Sequence, residues 1–87
     1  MAKLNATQLR RLQGAPLDSQ PNKIRLALEF TGERQLDLSA GTGIPQSNLS
    51  EIVNGKYTAI GLETTRRIAE YFDVAIEDLF PKRSEAA

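Results

Sequence analysis

The sequence predicts an all-α fold, and three observations carry that reading. Apolar residues recur at spacings of three and four, as in Ile24, Ala27, Leu28 and Thr31, and again in Leu62, Thr65, Ile68, Ala69 and Phe72. No stretch of useful length alternates apolar and polar residues with the period of two that a half-buried strand needs. Gly14, Gly32, Gly43 and Gly55 each stand at the end of a periodic segment. Gly43 in particular is placed to end its helix in a left-handed turn, where lacking a Cβ removes the steric cost.

The elements follow in order. Residues 5–13 (NATQLRRLQ) predict a short helix with Leu9 and Leu12 on its apolar side, ended by Gly14. Residues 14–21 (GAPLDSQP) read as a linker, because they hold Pro16, Pro21 and an Asp-Ser pair. Pro21 or Asn22 starts the next helix, which Gly32 ends. A helix from about Arg34 to Thr42 precedes a turn at Gly43, and Ile44 follows as an apolar plug. Pro45 to Asn54 is the next helix; Pro45 suits its first position because the missing N–H would be unpaired there anyway. Residues 56–61 form a loop. Leu62 to Phe72 is a helix with Leu62, Thr65, Ile68, Ala69 and Phe72 inward, and Asp73 breaks it. Ala75 to Phe80 closes the domain as a short last helix.

The stretch Leu38 to Gly55, LSAGTGIPQSNLSEIVNG, has the pattern of a helix-turn-helix. Leu49, Ile52 and Val53 give its second helix an apolar face. Gln46, Ser47, Ser50 and Glu51 form the opposite face, with Asn48 on its flank. Amide and hydroxyl groups of this kind hydrogen-bond base edges in a DNA major groove. Sequence-specific binding of double-stranded DNA is therefore the leading functional expectation.

Composition bounds the alternatives. A chain of 87 residues with 40% hydrophobic residues makes one small domain with a single core. There is no Cys and no His, which removes disulfides, thiolate chemistry and the commonest catalytic base and metal ligand. Asp37 and Glu51 are two carboxylates without a partner base, nucleophile or metal cluster, so neither an enzyme nor a metal or cofactor site is expected. The Gly-Thr-Gly of residues 41–43 lacks the Lys and Ser/Thr of a phosphate loop. No apolar run approaches the roughly 18 residues of a membrane helix, and a cytoplasmic location is expected. The net charge of zero hides an asymmetry. Residues 1–17 carry Lys3, Arg10 and Arg11 with no acid, whereas residues 63–80 carry Glu63, Glu70, Asp73, Glu77 and Asp78 against Arg66 and Arg67. The acidic end reads either as an ordinary solvated face or as the side turned away from phosphate.

Residues 22–80, about two thirds of the chain, resemble the Xre/Cro-type helix-turn-helix domain of phage repressors and many small bacterial regulators. The landmarks are Leu38, Ser39, Gly43, Ile44, Gln46, Leu49, Ser50, Ile52, Asn54 and Gly55, followed by GLETTRRIAEYFDVAIEDLF. The resemblance implies a five-helix lambda-repressor-like DNA-binding domain over residues 22–80. An N-terminal extension of residues 1–21, an arm or a short helix plus linker, would precede it, and a disordered tail of residues 81–87 would follow. In that family a Gln opening the second helix contacts a phosphate and braces a Gln opening the third; Gln35 and Gln46 hold those places. The resemblance thus implies base contacts from Gln46, Ser47, Asn48 and Glu51, with Gln46 reading adenine. It also implies phosphate contacts from Gln35, Asn54, Lys56, Tyr57 and Thr58. Plainer roles stand beside these: Gln35 and Gln46 as solvated helix starters, Asn54 as a helix terminator, Tyr57 as a cover for the core edge.

This chain departs from the family pattern at several positions. Leu28 and Val53 stand where many relatives pair a buried Arg with a Glu, a replacement that leaves no charge buried alone. Pro45 and Arg34 stand where capping side chains are common, and Gly41 inside a helix costs up to about 1 kcal/mol against Ala. One recognition helix reads only a few base pairs, so a homodimer with its two helices about 34 Å apart is expected on a two-fold site. Family habit places dimer contacts near Ile60, Ile76, Leu79 and Phe80, the last two reading better as core. A repressor is the first functional expectation. The alternatives are an antitoxin, whose N-terminal segment would hold a toxin partner, and a protein-interaction module that no longer binds DNA.

Overall fold

The computed structural model describes residues 3–17, 20–56 and 60–81. Among them the chain forms helices α1 (Ala6–Gly14), α2 (Ile24–Thr31), α3 (Gln35–Thr42), α4 (Gln46–Val53), α5 (Leu62–Phe72) and α6 (Ile76–Leu79), and no strand. The all-α expectation holds. Tyr57, Thr58 and the tail beyond Pro81 lie outside the described residues.

The helix ends explain why short helices stop where they do. At the end of α4 the Gly55 N–H donates to Ile52 O and the Lys56 N–H to Glu51 O, with Gly55 at φ 74°. This is the paired closure that a left-handed residue permits. The same pair of bonds closes α2 around Gly32 and α5 around Asp73, which adopts φ 59°. In α3 the Gly43 N–H donates back to Ser39 O with φ 78°. Ser39 Oγ donates to Ile44 O at 2.6 Å, which fixes the turn into α4.

Apart from α5, the helices start one to three residues after the expected positions, and at α2 and α4 the cause is local. Helix α2 begins at Ile24, because the Asn22 side chain accepts the Ile24 N–H at 3.1 Å and so caps the helix from outside. Pro45 is the residue before α4, with ψ 143°, and not its first helical residue. At α3 the Asp37 carboxylate accepts the Arg34 N–H at 2.9 Å, which offsets part of the missing side-chain cap.

A single core joins all six helices, through Leu4, Leu12, Ile24, Leu28, Leu38, Ile44, Leu49, Val53, Ile68, Phe72 and Leu79 among others. Helix α3 packs on α4 and α5, α5 on α6, and α1 on α2. The apolar pair Leu28 and Val53 is buried, as the departure from the family pattern requires. Leu79 is fully buried, whereas Ile60, Ile76 and Phe80 are partly buried against the core. One inward assignment fails: Leu62 is 63% exposed, because it opens α5 before the helix reaches the core. Tyr71 takes an inward place instead, edge-on to Phe72 with ring centroids 5.2 Å apart.

The N-terminal helix is part of this body. Leu12 has no exposed surface, and the Leu4 N–H donates to Phe72 O at 3.1 Å. Gln8 completes a capping box with Asn5 and also donates to Phe30 O at 2.8 Å. Lys23 is buried, and its Nζ donates to Leu12 O at 2.7 Å. A cation at the carboxyl end of a helix is favoured by the helix dipole.

Candidate nucleic-acid interface

Helix α4 is built with two unlike sides. Leu49, Ile52 and Val53 are buried, while Gln46, Ser47, Asn48 and Glu51 are all exposed. Four of the side chains singled out in the sequence therefore share the outward side of one helix. The buried side fixes that helix against α3, so the outward side chains project from a rigid base. Asn48 and Glu51 also line a shallow groove with Ile60 and Thr64 at the start of α5.

The start of α4 is open. Pro45 offers no side-chain acceptor, and the first α4 amide with a helical partner is Leu49, which donates to Pro45 O. Gln35 opens α3 and is half-buried. Among the described residues no hydrogen bond joins Gln35 to Gln46.

The far end of α4 carries a second polar group. Both amide atoms of Asn54 are engaged at the surface: Nδ2 donates to Ser50 O at 2.8 Å, and Oδ1 accepts from the Arg25 guanidinium at 2.9 Å. Asn54 therefore ends the helix and also holds a cation from α2. Lys56 follows and is exposed. Neighbouring contacts make this end rigid. Asn22 is 2% exposed and donates to Ile52 O at 2.8 Å, and a Cβ at Gly55 would lie 2.6 Å from Pro21 Cβ.

Sequence reasoning did not single out Arg25. Its spacing marks only the polar side of α2, and nothing local tells which helix end that side meets. The folded chain puts Arg25 and Asn54 together although 29 positions separate them. The exposed ion pairs elsewhere, Arg34 with Asp37 and Glu63 with Arg66 and Arg67, are of the kind that contributes little to stability.

The outward side of α4 thus carries amides and hydroxyls, and two cations, Arg25 and Lys56, stand at its exit. Among the described residues no group of three or more His, Cys, Asp or Glu is placed to hold a metal, and no helix is long and apolar enough to cross a membrane. Residues 32–81 match the family model of the Cro/C1-type HTH DNA-binding domain. No curated protein and no solved structure matches the chain.

Proposed function

The chain belongs to the Cro/C1-type HTH DNA-binding family, and from that premise we propose that it is a sequence-specific transcriptional regulator. It acts in the cytoplasm as a homodimeric repressor, each copy setting α4 in the major groove of one half of a two-fold operator. The observation that carries this reading is the outward row of Gln46, Ser47, Asn48 and Glu51 on a helix whose other side is locked in the core. Gln46 stands first in that row, and its amide suits a two-bond contact with adenine. Phosphate contacts from Gln35, Asn54, Lys56, Tyr57 and Thr58 would hold the register.

The test is a fluorescence anisotropy titration against the DNA upstream of the protein's own coding region, at two salt concentrations. Tight binding that salt weakens, and that Gln46→Ala reduces by about 1–3 kcal/mol on this fragment alone, supports the reading. Equal affinity for that fragment and random DNA rejects self-regulation. Absence of any salt-dependent binding rejects the DNA reading and moves the function to a protein partner.

A further inference from the structure

We infer that Arg25 is a phosphate-binding residue, held ready at the exit of the recognition helix by Asn54. The inference rests on the DNA-binding reading above and adds to it a residue from a different helix.

Three observations carry it. Arg25 is exposed, and its guanidinium donates to the neutral Asn54 amide at 2.9 Å. It takes part in no ion pair among the described residues, whereas Arg34, Arg66 and Arg67 each face a carboxylate. A neutral acceptor orients the guanidinium without cancelling its charge, and leaves it donors to spare. The support beneath is rigid: Asn54 is itself tied to Ser50 O, Asn22 joins the start of α2 to Ile52 O, and Pro21 packs against Gly55. A preset, uncancelled guanidinium suits the planar, two-pronged grip that phosphate takes from Arg. When α4 lies in the major groove, its ends approach the groove walls, where the phosphates are. Lys56, exposed two residues beyond Asn54, adds a second cation at the same end.

The competing role is structural. A cation at the carboxyl end of α4 also answers the helix dipole, and that role needs no DNA. The two roles separate in the salt dependence of binding. Each phosphate contact contributes about 0.9 to the slope of log affinity against log salt.

The experiment compares wild type, Arg25→Gln, Arg25→Lys and Asn54→Ala on upstream and random DNA across a salt series, with thermal melts of each. Arg25→Gln is expected to lower the slope by about 0.9 per protein copy bound, and to weaken both DNAs by the same factor. Arg25→Lys is expected to keep the slope while losing part of the affinity. Asn54→Ala is expected to keep the slope and weaken binding, because the charge stays and its orientation is lost. A wild-type slope in Arg25→Gln, with only the melting temperature changed, overturns the proposal and leaves the DNA reading standing. Absence of salt-dependent DNA binding by wild type overturns both. If Arg25→Gln fails to fold, Arg25→Met, which keeps the apolar stem and removes the charge, takes its place: a slope lowered by about 0.9 per copy supports the proposal, and a wild-type slope overturns it.

Discussion

Gly41 shows how a single residue reverses its meaning once its neighbour is known. Alone, it is a weak helix former in the middle of α3, and Ala there is favoured by up to about 1 kcal/mol. In the folded chain the Tyr71 ring lies over it, so that a Cβ would sit 2.8 Å from Tyr71 Cδ1 and well inside contact with Cε1. Tyr71 is buried and edge-on to Phe72, so it has little room to yield. Gly41→Ala is therefore expected to destabilise the protein by about 1–3 kcal/mol, the usual range for overpacking. Chemical denaturation checks it, and repeating the substitution in a Tyr71→Ala background tests the cause. There Ala at position 41 should become neutral or stabilising. Stabilisation by Gly41→Ala in the wild-type background would refute the steric account.

Helix α1 makes the corresponding point for an element. Its sequence announces a helix clearly: Asn5 and Gln8 form the capping box, and Leu9 and Leu12 share a side. Nothing in that pattern says whether the helix stands apart or belongs to the core. The structure buries Leu12 completely, and Lys23 closes the carboxyl end of the helix. Leu12→Ala is therefore expected to cost about 2–5 kcal/mol, with a matching fall in melting temperature. A loosely attached arm would show a change within about 0.5 kcal/mol, as surface positions do. The same contrast holds for the exit of α4. The stop signal Asn54–Gly55 is plain in the sequence, but its neighbours Pro21, Asn22 and Arg25 come from a segment 29 or more positions away.

A contact between α5 and the turn joining α2 to α3 gives the whole molecule an alkaline limit. Tyr71 on α5 donates to the Glu33 carboxylate in the turn between α2 and α3. That hydrogen bond, then burial, then the negative charges of Glu33 and Asp37, push the Tyr71 hydroxyl up from 10.0 to about 12. The folded protein thus holds this proton more tightly than the unfolded chain. The contribution to stability is fully present below about pH 10 and is lost as pH rises from 10 towards 12. In a series of denaturation curves, the stability gap between wild type and Tyr71→Phe should narrow over that window. Parallel curves would show that the hydroxyl does not titrate as the geometry requires.

What the sequence determined by itself is everything governed by near neighbours. The helical periods, the helix stops at Gly32, Gly43, Gly55 and Asp73, and the two-sided pattern of α4 depend on residues within a few positions of one another. The same local pattern gave Gln46, Ser47, Ser50 and Glu51 as the outward face with Asn48 on its flank; all are exposed but Ser50, which is half-buried. Tertiary structure decided what depends on packing between distant segments. It turned Leu62 to solvent and Tyr71 inward, and it gave Gly41 a steric reason to be glycine. It also drew α1 into the core and set Arg25 beside Asn54. The physical reason is that a helical period fixes which residues share a side, while only the meeting of two helices fixes what that side faces.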